Sequence, residues 1–147
     1  MFKKYLTILL KSSENKIVGI GLLLLRTGIS TLMVYLHGWP KLKSYSESQS
    51  SFPELIGLGS ETGLLLAIFA EAICSILLSL GLLTRIAVIP LSFTMVVAAF
   101  IFNADQEFIV KEKGIIYLIV YLFFLITGAG KYSADQILLQ KINSIKQ

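Results

Sequence analysis

Apolar residues along this 147-residue chain gather into four blocks, at about residues 17–37, 63–83, 86–102 and 114–130. At about 1.5 Å per residue, runs of this length reach across a hydrocarbon layer of roughly 30 Å. The pattern predicts an all-α fold: an integral membrane four-helix antiparallel bundle, built as a single membrane domain over residues 1–147. Pro90 falls one turn into the third block, where a helix tolerates it. A turn around Thr84–Arg85 forces the second and third helices into a hairpin, and the longest connection is Gly38–Thr62.

Both ends of the chain carry shorter amphipathic patterns. Phe2, Tyr5, Leu6, Leu9 and Leu10 recur at helical spacing, with Lys3, Lys4, Thr7 and Lys11 opposite them. That suits a short helix lying in the membrane interface. The apolar stretch Tyr5–Leu10 is too short for the core of a signal peptide. After the fourth block, Gly128-Ala129-Gly130 ends a helix and Ser133-Ala134-Asp135-Gln136 reads as a capping box opening another. There Ile137, Leu138, Ile142 and Ile145 share one side, and Lys141 and Lys146 can snorkel to head groups, giving a second interfacial helix.

Two charges break the apolar runs. Arg26 lies inside the first and Glu71 inside the second. A charge at that depth costs about 2.5–3.5 kcal/mol even on the gentlest scale, so it is paired or faces a wet cavity. Either a structural ion pair or a proton- or ligand-handling site would meet that requirement. Counted from the inner ends of their spans, Arg26 lies roughly 13 Å deep and Glu71 roughly 18 Å. An arginine bridges that difference, which predicts an Arg26–Glu71 contact with Tyr121 near the same level. Helical projection places Arg26, Ser30, Met33 and His37 on one face, and Gly63, Ala67, Ala70, Glu71, Cys74 and Ser75 on another. His37, Lys41 and Asn103 fall at the outer mouth, and Tyr117 and Tyr121 line the fourth helix. The candidate intramembrane polar site is therefore Arg26, Glu71, His37, Asn103, Tyr117 and Tyr121.

Composition agrees with a membrane setting. Hydrophobic residues make up 55% and charged residues 15%, against about a quarter charged in a soluble domain. The net charge of +4 belongs to loops and ends, and no basic stripe with interleaved aromatics points to nucleic acid. One cysteine, Cys74, and one histidine leave no disulfide, no metal site and no intrinsic cofactor of the bis-histidine kind. Eight basic residues on the side of the termini face four on the other, Lys41, Lys43, Lys111 and Lys113. That bias predicts a multi-pass protein with N- and C-termini both cytoplasmic.

Several of these stretches have a familiar order. Leu25-Arg-Thr-Gly28 with His37-Gly-Trp-Pro-Lys41-Leu, Ala70-Glu71 leading to Leu80-Gly-Leu-Leu-Thr84-Arg85, and Thr127-Gly-Ala-Gly130-Lys-Tyr-Ser133-Ala-Asp135 together resemble the DoxX-like family over roughly residues 17–136. The resemblance implies a small four-helix protein of the bacterial cytoplasmic (inner) membrane. Some members of that family are linked to quinone-coupled redox chemistry and to complexes that defend against oxidative stress. It implies here a quinone-interacting subunit of a membrane redox complex, with quinone as ligand and a soluble or membrane redox partner. Whether the chain catalyses anything alone stays open. The alternatives are a non-catalytic membrane anchor or assembly partner, and a small-solute or lipid-handling membrane protein. The sequence leaves the oligomeric state undefined.

Overall fold

The computed structural model describes residues 15–54 and 57–144. The amphipathic pattern at residues 2–11 lies outside them. Every regular element among the described residues is helical. Asn15 opens the first helix, its side-chain oxygen accepting from the Ile17 and Val18 amides at 2.9 and 3.3 Å. This helix runs Lys16–Lys43, six residues beyond the expected end. The second runs Ser60–Leu80 and the third Thr84–Phe102. These three are long and apolar enough to cross a membrane. The fourth, Phe108–Thr127, carries Lys111, Glu112 and Lys113 in its first two turns and is continuously apolar only beyond Gly114. A last helix, Ala134–Ser144, follows Ser133, whose hydroxyl accepts from the Gln136 amide at 3.2 Å, as the capping-box pattern predicts.

Each of the first three helices contains a π-helical stretch, at Val34–Gly38, Phe69–Cys74 and Val97–Phe102. In the first, the Trp39 amide reaches back five residues to the Val34 carbonyl. Pro40 sits at the start of the α-turn that follows, where a missing N–H is least harmful. The segment Gly38-Trp39-Pro40, which the hydropathy pattern treats as a loop, is therefore helical.

Packing follows chain order. The first helix lies on the second, the second on the third, and the third along the fourth. Leu22, Met33, Leu78, Val88, Leu91, Tyr121 and Phe124 form the centre of the core. The outward faces carry Ile17, Leu24, Ile89, Ile119 and Ile126, all exposed. An apolar exterior of this extent suits a lipid surround. The second and third helices join through Gly81-Leu82-Leu83, just before the predicted turn. Leu83 adopts φ 49°, a left-handed conformation unusual for a branched residue, and its amide is held at 2.7 Å by the Asp135 carboxylate.

Candidate functional site

The second helix carries Glu71 in its π-helical stretch, 4% exposed. Directly against it lies the corresponding stretch of the first helix. A Cβ on Gly38 would stand 2.8 Å from the Ala72 amide nitrogen and 2.9 Å from the Glu71 carbonyl, so only glycine permits this approach of two backbones. One turn further on, Lys41 Nζ meets Glu71 Oε2 at 2.5 Å. It is the one carboxylate salt bridge among the described residues. The lysine reaches the interior from a partly exposed position, whereas the carboxylate is buried.

This ion pair lies in the wall of a cavity of about 450 Å³. Phe52, Phe69, Phe93 and Phe102 supply much of the remaining lining. The cavity is therefore apolar with a single charged corner, the form taken by many small-molecule sites. Behind the carboxylate, the His37 ring meets Tyr117 edge-on at 5.9 Å, and Tyr117 lies 6.0 Å from Tyr121. Glu71, Lys41 and Lys113 all lie within electrostatic reach of His37. Glu71 similarly lies within reach of the Tyr121 hydroxyl, which is buried and forms no hydrogen bond of ordinary geometry. Glu71, His37, Tyr117 and Tyr121 thus lie near one another.

Arg26 and Asn103 do not join them. Arg26 sits at the opposite end of the second helix, buried over Gly81, and its Nη2 donates to the Tyr132 carbonyl. Asp135 lies within electrostatic reach. The expected Arg26–Glu71 contact is therefore absent, and each charge has a different neighbour. The reason is the register of the first two helices, which sets Arg26 against Gly81. The continuation of the first helix to Lys43 places residues 38–41, rather than 26, at the level of Glu71. Asn103 turns back on its own helix, donating from Nδ2 to the Ala98 carbonyl at 2.7 Å.

Around Arg26 a second polar cluster closes the molecule on the side of the termini. Both Asp135 oxygens accept amides at the start of the third helix, from Leu83 at 2.7 Å and Thr84 at 3.0 Å. The Asp135 amide in turn donates to the Gly81 carbonyl at 2.8 Å. The sequence offered a capping motif at Ser133–Gln136 but no sign that Asp135 caps a helix 51 residues earlier. Lys41, read as part of the mouth, could have been found as the partner of Glu71 only by continuing the helix through Pro40.

The family model described as DoxX matches residues 21–104, more than half of the chain and all of the Lys41–Glu71 corner. An uncharacterized protein of Haemophilus influenzae is 30% identical over 116 residues, covering 76% of each chain. No solved structure matches this sequence.

Proposed function

The chain belongs to the DoxX family and is a membrane protein with apolar helices, and from that premise we propose that it is a quinone-interacting subunit of a redox complex in the bacterial cytoplasmic membrane. One observation carries the reading: a buried carboxylate and an ammonium share the charged corner of an otherwise apolar, aromatic-lined cavity. The volume of about 450 Å³ accommodates a substituted ring and the first part of an apolar tail. Bound there, a quinone would supply redox chemistry coupled to proton uptake. The chain's own contribution is placement and proton handling. Lys41 Nζ donates a hydrogen bond to a carbonyl oxygen, and Glu71 Oε2 holds or passes a proton at the same corner. Phe69, Phe93 and Phe102 exclude water and hold the ring. Electrons come from a partner subunit.

Titrating the purified full chain in lipid nanodiscs with decylubiquinone, followed by ultraviolet difference spectra, tests this reading. Lys41→Met is expected to weaken binding by about tenfold, since the hydrogen bond that the ammonium donates to the carbonyl contributes about 1.5–3 kcal/mol. No saturation at membrane-like quinone levels, or equal affinity in the variant, would remove the quinone site and leave the anchoring role as the reading.

The same proposal includes a fourth span from Gly114 to Thr127, with Lys111, Glu112 and Lys113 at the external interface and both termini cytoplasmic. Reporter fusions after Lys141 should read as cytoplasmic, and one placed within Ser44–Ser51 as external. An external reading after Lys141 would show that the fourth helix does not cross.

A further inference from the structure

A second cavity, of about 440 Å³, lies between the first and second helices, separate in its lining from the one beside Glu71. Ser30, Thr31 and Val34 from one helix and Ser75, Ile76 and Ser79 from the other form most of its lining, with Tyr35 and Trp39 at its rim. No charged residue is among its lining residues. The informative atoms are the hydroxyls of Ser30 and Ser75. Both residues are essentially buried, 1% and 0% exposed, and neither hydroxyl has a hydrogen-bond partner.

Hydroxyls within apolar helices normally bond back to their own backbone. This chain does so at Thr27, Thr31, Thr94 and Thr127, whose hydroxyls donate to the carbonyl four residues earlier at 2.7–2.9 Å. Ser30 and Ser75 depart from that habit, as Thr84 and Ser92 do, but Ser30 and Ser75 also line a cavity between two helices. A buried hydroxyl left without a partner costs about 1–3 kcal/mol. Water is scarce at such a depth, and the remaining lining is uncharged. Tyr121 lies close to Ser75 on the core side, though outside ordinary hydrogen-bond geometry, so a ligand hydroxyl would add to that contact.

We infer that this cavity is a binding site for a neutral long-chain alcohol, a lipid whose only polar group is a hydroxyl. A hydroxyl both donates and accepts, so one group can bond Ser30 and Ser75 together. The chain of the ligand leaves along the apolar wall past Val34 and Ile76, beneath the exposed Tyr35 and Trp39 rings. The absence of a lining cation disfavours carboxylate and phosphate lipids. This site is independent of the quinone reading, because it shares no lining residue with the cavity at Glu71.

Trp39 is the sole tryptophan of the chain and stands at the rim, so it reports occupancy directly. The experiment titrates the purified full chain in mixed micelles with dibrominated stearyl alcohol, whose bromines quench tryptophan on contact. The expected result is saturable quenching, with dibrominated stearate markedly weaker. Ser30→Ala and Ser75→Ala should each weaken binding by about fivefold, the loss of one ordinary hydrogen bond. The double variant should lose saturation, and Ser79→Leu should block binding by filling the cavity. Unsaturable quenching in the wild type, or an unchanged titration in the double variant with its elution profile intact, would overturn the assignment.

Discussion

Lys41→Met is expected to destabilise the protein by about 3 kcal/mol, the lower end of the range for breaking a buried ion pair from one side. The loss comes mainly from the partner left behind. Glu71 is 4% exposed and has no other cation at hydrogen-bonding distance, whereas Lys41 keeps a quarter of its side-chain surface open. Removing the lysine strands a carboxylate in an apolar wall, while removing the carboxylate lets the lysine swing outward. Glu71→Gln should therefore be milder, about 1 kcal/mol, because a neutral amide retains a hydrogen bond to the ammonium. The double change should recover part of the loss of Lys41→Met alone, a coupling that independent sites do not show. Thermal unfolding in detergent, read by circular dichroism, gives all three values. Equal effects of the two single changes that add strictly would show that the pair contributes no coupling.

At the other end of the second helix, Gly81→Ala should be still more damaging, about 3 kcal/mol or more, because strain and overlap combine there. Gly81 has φ +66°, and a Cβ at this position would stand 1.5 Å from Arg26 Nη1 and 2.6 Å from Ser133 Cβ. The buried guanidinium would have to leave its place beside the Tyr132 carbonyl. Gly59→Ala provides the comparison, since Gly59 has φ +78° but nothing within 4 Å. It should lose only the backbone preference, about 1–2 kcal/mol. If accumulation in membranes and melting temperature fall equally in both variants, the packing of Arg26 over Gly81 carries no weight.

The helical character of the chain was open to reading because apolar runs of membrane length leave few other backbone solutions. The site was only half legible. Glu71, Tyr117 and Tyr121 meet because each lies on the interior face that a regular helix projects. Arg26 was misplaced because hydropathy marks where a chain becomes polar, not where a helix stops. Trp39–Lys43 is helical although it carries a proline and two lysines. Phase was the other difficulty. Along the first helix the buried positions are Gly19, Leu22, Arg26, Ser30 and Met33, and then Gly38. The last step is five residues, the mark of a π-turn, and it moves His37 off the face where a 3.6-residue period puts it. The contact of Asp135 with Leu83 and Thr84 had no local signal, because its partners are main-chain amides that any sequence provides.

That contact bears on the order in which the molecule is completed during synthesis. The start of the third helix emerges long before the residue that caps it, since Thr84 and Asp135 are separated by 51 residues. Until the last segment returns to this side, the Leu83 and Thr84 amides lack their carboxylate and Leu83 lacks what holds it in its left-handed conformation. The hairpin of the second and third helices can enter the bilayer early, yet its turn is secured only after the fourth helix has been made. The fastening step is therefore made by the helix Ala134–Ser144, and a ribosome stalled before Asp135 would leave an inserted but unfastened hairpin.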